Sequence, residues 1–266
     1  MKVLRTNAKA QIAILLFVFY LITLSHLPFN QAIALLLLCV GGTVLTDLLF
    51  GYIRVRKFFI PYAGIVTGLI LTLIIDTGAA WYQILFIATA AMGIKNFLRI
   101  SGRHVFNPAA SGLLAGWFAF GLSPSWWGAS PFSGSALTLP NILIYAGVLS
   151  FAFVSCFRLK RYYAILAFLL LSAIGAEFMA QTFSLQSLLA SITSIGTLFY
   201  ALVMLPEPMT SPVKKERQLM YAGLVAIVST LLVFVVTPFL SQRGIALPNS
   251  SIIALLIGNL LFFKFR

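Results

Sequence analysis

Apolar runs separated by short polar punctuation fill almost the whole chain, at about 11–26, 31–50, 62–76, 80–97, 108–122, 141–157, 162–180, 186–205, 218–240 and 250–263. A helix needs roughly 20 apolar residues to cross a bilayer, so this pattern predicts an all-α membrane protein of about ten transmembrane helices. They form a single transmembrane domain over residues 1–266. The runs are not alike. The third, "YAGIVTGLILTLII", is short for a crossing and carries Thr67 and Gly68 near its middle. The fifth opens within "RHVFNPAASG", where Asn107 is a good N-cap, Pro108 suits the first helical position, and Ala109 to Gly112 permit close packing. The eighth has small polar residues at Thr193, Ser194, Gly196 and Thr197 and ends at Pro206-Glu207-Pro208. The tenth starts from the opposite face at Pro248-Asn249-Ser250-Ser251.

The third and fifth runs therefore have counterparts in the eighth and tenth. Five spans per half is an odd number, so the second half must be inverted relative to the first, with repeats over about 11–122 and 141–264. Inverted repeats with short or discontinuous helices place a site at their interface, where free N–H groups and partial positive charge favour an anionic or polar ligand. The competing reading is a set of short helices tilted or sunk in protein for packing alone.

Composition agrees with the lipid assignment: 61% of residues are hydrophobic and 9% charged, with a mean hydropathy of +1.04. The net charge of +13 would suggest nucleic acid in a soluble protein, but its distribution says otherwise. Basic packets at Lys2 to Lys9, Arg54 to Lys57, Lys95 to Arg103, Arg158 to Arg161, Lys214 to Arg217 and Lys264 to Arg266 all fall on one face of the predicted topology. Arg243 alone falls on the other. That is the positive-inside rule, with both termini cytoplasmic in a cell inner membrane, and no nucleic-acid surface is implied. The first run, lacking a small-residue cleavage site, reads as a retained helix.

Candidate chemistry is sparse. Cys39 and Cys156 lie within spans without paired spacing and read as packing residues, and they are too few for an iron–sulfur centre. His26 and His104 are a membrane apart, which excludes a haem between them. Neither a nucleophile–His–acid grouping nor a phosphate loop occurs. Of the five acids, Asp47 and Glu177 are the candidates for a proton or sodium path, against the alternative that they solvate helix ends. Any electron carrier is then organic and held without metal ligands, its phosphate suited to a helix N-terminus such as that following Asn107 and Pro108.

Val66-Thr67-Gly68-Leu69, "GRHVFNPAASG", "LPEPMTSP" from Leu205 to Pro212, and "IALLIGN" ending at Asn259 together resemble the NqrB/RnfD family in order and spacing. These are membrane subunits of the sodium-translocating NADH:quinone oxidoreductase and of the Rnf ferredoxin:NAD complex. The resemblance implies a urea-transporter-like architecture, a flavin (FMN or riboflavin) in the membrane domain, and electron transfer with or without coupled sodium or proton movement. It implies cofactor contacts at Thr67, Gly68, Asn107, Pro108 and Thr210, the last from Glu207-Pro208-Met209-Thr210, which resembles the family's Asp-Pro-Val-Thr. The family attaches FMN through its phosphate to a threonine in an outer loop. Here "SGSALT" makes Thr138 the counterpart, with altered spacing, no preceding aspartate and a shorter loop. The other reading of that loop is an interfacial segment with Trp126 and Trp127 at the headgroups.

Such a subunit acts only with partners: other membrane subunits and a cytoplasmic flavin or iron–sulfur donor, for which the basic loops offer a docking face. The alternative function is a transporter or channel for a flavin or small solute, built on the same broken-helix centre without redox chemistry.

Overall fold

The computed structural model describes residues 7–129, 139–181 and 183–265. Helices occupy the apolar runs: α1 (Ala8–Thr23), α2 (Phe29–Val55), α3 (Tyr62–Ile74), α4 (Trp81–Phe97), α5 (Pro108–Phe120), α6 (Leu139–Ala152), α7 (Tyr162–Ala180), α8 (Leu185–Thr193), α9 (Ile195–Phe199), α10 (Lys215–Leu231), α11 (Thr237–Ser241) and α12 (Ser250–Leu261). Five helical stretches are long and apolar enough to cross a bilayer, and α8 with α9, bent by 51° at Ser194, makes a sixth if counted as one span. This is an all-α, multi-pass membrane protein. Three π-helical segments, Phe153–Arg158 after α6, Tyr200–Met204 after α9 and Leu232–Val236 between α10 and α11, were not expected from the apolar pattern.

The short helices are short for a physical reason. At 1.5 Å per residue a helix of this length spans only about 20 Å against about 30 Å of hydrocarbon, so its ends must find partners inside the protein. The 13-residue α3 is buried continuously from Thr67 to Ile74, and α9 with its π extension is buried from Leu198 to Met204. An apolar helix with no polar face belongs at the centre of the bundle. Around these two the other helices pack in two sets. In the first half α1 lies on α3, α2 on α3 and α4, and α4 on α5; in the second α6 lies on α9, α7 on α8 and α10, and α10 on α12. The halves meet where α1 packs on α6 and α5 on α12.

Small residues set the close crossings. A Cβ on Gly68 would come within 2.6 Å of Val40 Cα on α2, one on Gly112 within 2.7 Å of Ala91 Cβ on α4, and one on Gly258 within 2.6 Å of Val225 Cγ2 on α10. Between α4 and α5 the chain makes a small hairpin, β1 (Arg99–Ile100) with β2 (Arg103–His104), pairing Arg99 with His104. Ser101 and Gly102 carry positive φ of 50° and 77°, the backbone of a two-residue primed turn. The apolar pattern gave no hint of this hairpin because its period is helical and the turn signal is only two residues long.

The crossings make a direct prediction. Gly68→Ala overpacks the α2–α3 contact and lowers stability by about 1–3 kcal/mol, whereas Gly41→Ala, which meets nothing within 4 Å, does not lower it and raises it by up to about 1 kcal/mol through helix propensity. Thermal unfolding of the purified protein in detergent compares the two, and equal melting temperatures would refute the crossing.

Candidate functional site

The carboxyl end of α3 stops in the protein interior, at Ile74 and Ile75, which are both buried. Its orphaned carbonyls are met by the segment after α5. Ser125 N–H (2.9 Å) and Trp126 N–H (3.0 Å) donate to Ile74 O, and Gly128 N–H donates to Leu73 O at 3.0 Å. Trp127 Nε1–H donates to Thr72 O at 2.7 Å, and Ser125 Oγ–H to Ile75 O at 2.8 Å. The corresponding end of α9 is served by side chains: Asn107 Nδ2–H reaches Met204 O at 3.3 Å and Ser155 Oγ–H reaches Leu202 O at 2.5 Å.

Asn107 is the node of a junction between the halves. Its side-chain oxygen accepts from Ala110 N–H at 3.1 Å, capping α5 as expected, with Pro108 in the first turn. Its own N–H donates to Asn259 Oδ1 at 2.8 Å, and Asn259 Nδ2–H donates in turn to Tyr221 OH at 3.0 Å. Beside it the buried His104 Nε2 lies 2.9 Å from Glu207 Oε1, and Thr210 Oγ–H donates to the other carboxylate oxygen at 3.0 Å. Arg161 Nε–H holds the same loop through Ser211 Oγ at 2.9 Å. These groups surround a cavity of about 50 Å³ whose walls include Lys9, Thr67, His104, Asn107, Pro108, Ser155 and Glu207. A water occupies about 30 Å³ of liquid, so this space suits one or two waters rather than a flavin ring.

A second network lies under α3 at the same basic end. Asp47 on α2 is fully buried, and both its oxygens accept from Lys95 Nζ, at 2.6 and 2.7 Å. Asn96 Nδ2–H donates at 3.0 Å and Gly64 N–H, in the first turn of α3, at 3.1 Å. At the other end Glu177 on α7 accepts from Ser184 N–H at 3.2 Å and Ser187 Oγ–H at 2.6 Å, and so anchors the start of α8. The two acids named for an ion path thus sit in separate networks, each engaged with the beginning of a following helix.

A larger polar space of about 450 Å³ lies at the end opposite the basic loops, where α9 and α12 begin. Ser125, Ser172, Ser194, Thr197, Ser229, Asn249 and Ser251 line it, with Trp126, Phe168 and Tyr200 as aromatic walls and, among the described residues, no charged side chain. Ser194 caps α9 by accepting from Thr197 N–H at 3.2 Å, and Asn249 caps α12 by accepting from Ile252 N–H at 3.3 Å. Tyr200 OH donates to Ser251 O at 2.8 Å and closes the floor. Its volume is in the range of about 300–1,000 Å³ usual for small-molecule sites.

The chain matches no family model and no curated protein. The resemblance to the NqrB/RnfD membrane subunits therefore rests on the motif residues themselves. Of these, Thr67, Asn107 and Pro108 share the small cavity. Gly68 turns instead to α2, Thr210 is fully buried on Glu207, and Thr138 lies outside the described residues. Sequence reasoning read Lys95 only as topology and His104 only as too far from His26 to share a haem, and missed their pairing with Asp47 and Glu207. Partners 48 and 103 positions away leave no local spacing to detect. The hydroxyls of Ser172 and Ser229 were missed too, each a lone serine in an apolar run.

Two predictions follow from the ionised groups. Asp47→Ala leaves Lys95 buried without its counter-charge and costs roughly 3–5 kcal/mol, much of which Asp47→Leu with Lys95→Met restores; denaturant unfolding measures both, and a silent Asp47→Ala sinks the account. Burial pushes the Glu207 carboxyl up, but the adjacent His104 and the hydrogen bonds from His104 and Thr210 outweigh it and hold it below the ordinary range. A depressed carboxyl adds stability that is fully present above the unfolded value of about 4.3 and is lost as pH falls through the lower folded value. The melting temperature of Glu207→Gln relative to wild type should therefore converge as pH drops below about 4.

Proposed function

We propose that the chain is the membrane subunit of a flavin-dependent electron-transport complex of the NqrB/RnfD kind, with its flavin in the hydroxyl-lined cavity where α9 and α12 begin. The observation that carries this reading is that cavity: about 450 Å³ lined by uncharged hydrogen-bonding groups and three aromatic side chains. Serine and threonine hydroxyls suit the polar edge of an isoalloxazine and a ribityl chain, Trp126 and Phe168 suit its faces, and the first N–H groups of α9 and α12 favour electron-rich atoms. A flavin there supplies one- and two-electron transfer. The protein supplies orientation and exclusion of water. Among the described residues no cation lines the cavity.

The same proposal takes the ten helical runs as two inverted five-helix repeats, in the manner of urea transporters. Support comes from the matched packing of the halves and from Asp47 and Glu177, each on the second helix of its half and each receiving an N–H from the start of the third. In this arrangement the termini and basic loops face the cytoplasm of an inner-membrane protein. Other membrane subunits and a soluble flavin or iron–sulfur donor complete the electron path.

One observation favours the second reading, a path for a flavin or small neutral solute. Cavities occur at both ends of the bundle, each beside the starts of short helices, as alternating access requires.

An absorption spectrum separates the two. Protein purified from a flavin-attaching host should show flavin bands bleached by dithionite, and Ser172→Val with Ser229→Val should lower flavin occupancy several-fold without changing expression. A colourless wild-type preparation that passes urea or riboflavin in liposomes overturns the redox proposal.

A further inference from the structure

The end of α2 and the hairpin after α4 form one surface. Phe50 and Phe97 rings meet at 5.3 Å, and the loop after α2 folds back so that Phe59 lies on Gly51, where a Cβ would collide with its ring. Tyr52 and Phe58 stack at 5.0 Å along the same edge. Every residue from Tyr52 to Ile60 is exposed.

Five cations stand on this surface, Arg54, Arg56, Lys57, Arg99 and Arg103, and neither segment 52–60 nor segment 97–103 contains an acid. Asp47, beneath them, is already taken by Lys95. Arg99 is pinned in place, its guanidinium donating to Lys95 O and Gly102 O. Its pKa is lowered by partial burial and then by repulsion from Arg54, with Asp47 opposing. The Phe50–Phe97 contact packs the end of α2 that carries Arg54 against the end of α4 that leads to Arg99.

Interleaved with these charges are exposed apolar side chains: Phe58 at 83%, Ile60 at 64%, Phe97 at 56%, Leu98 at 52% and Ile100 at 50%. A soluble acidic protein would meet the charges and leave this apolar surface to be covered separately. A lipid meets both, with phosphate on the arginines and acyl chains on the rings and aliphatic side chains.

We propose that the α2 end and the Arg99–His104 hairpin form a binding site for the headgroup of an anionic phospholipid, with Arg54 and Arg99 as its principal phosphate ligands. The site does not depend on a flavin or on the redox reading. Its specificity is for guanidiniums concentrated on two packed elements, the α2 end and the hairpin, over and above the diffuse attraction that any basic membrane face exerts.

The test uses the full chain in mild detergent, delipidated and titrated with cardiolipin, phosphatidylglycerol or phosphatidylcholine, and read by native mass spectrometry. Wild type should retain the two anionic lipids and release phosphatidylcholine. Arg54→Gln with Arg99→Gln should weaken retention roughly tenfold, while Lys214→Gln with Lys264→Gln, the same charge change elsewhere at the basic end, should not. Should the arginine double variant aggregate on size-exclusion chromatography, Arg103→Gln alone should still weaken retention about threefold. Equal losses in the arginine and lysine variants overturn the proposal, since only diffuse charge is then at work. Competition by soluble glycerol phosphate as effective as the lipid also overturns it, as does arginine-dependent capture of an acidic protein in the lipid's place.

Discussion

A backbone carbonyl that ends a helix inside a membrane has no water to bond, and each such group left alone costs several kcal/mol. This single constraint accounts for most of what is unusual in the chain. Because α3 stops in the interior at Ile74, the segment after α5 must fold back over it, and it does so with three backbone N–H groups, an indole N–H and a serine hydroxyl. Because α9 ends against α5, Asn107 must spend its amide on Met204 as well as capping its own helix. The polar residues that punctuate the apolar runs are partners for helix ends first. Whatever chemistry the protein performs has to use what they leave over.

That accounting separates the two ends of the bundle. At the basic end nearly every polar group is engaged: Asn107 with Ala110, Met204 and Asn259; Glu207 with His104 and Thr210; Asp47 with Lys95, Asn96 and Gly64. The cavity left among them is correspondingly small. At the opposite end the hydroxyls of Ser172 and Ser229 make only long bonds, to Leu169 O at 3.3 Å and to Ser251 Oγ at 3.5 Å. Hydrogen-bonding capacity therefore remains where there is also room. A ligand would find rigid, self-satisfied structure at one end and receptive groups at the other.

Much of this was legible in the chain. The apolar runs mark where helices form, and "FNPAA" announces a capped helix start because Asn and Pro act on their own backbone, within three residues. The weak small-polar texture around Ser194 marks a real break because a serine can re-cap a helix locally. What escaped has a common physical cause. Lys95 and Asp47, His104 and Glu207, and Asn107 and Asn259 are pairs made by tertiary approach across 48 to 152 positions, and nothing in either residue's neighbourhood names the other. Two of the three π-helical segments escaped for a related reason: Ser155 and Leu202, one in each, meet only when two separate helices are already packed.

The charged groups show how burial and function are divided. Asp47 and Lys95 sit in the interior at 0% and 9% side-chain exposure, yet they line neither of the two cavities described above. A buried pair of this sort roughly breaks even against apolar packing, so its value lies in direction rather than in net stability. The carboxylate fixes Gly64, Thr43 Oγ–H fixes Gly64 O at 2.9 Å, and together they set where α3 begins. Moving that start by one residue would rotate the helix by about 100° and turn Gly68 away from its crossing with α2. It would also displace the carbonyls that the segment after α5 must reach. The ion pair at one end therefore sets the register of the helix whose other end shapes the approach to the hydroxyl-lined cavity. Two sites that share no residue are linked through the length of a single rigid helix.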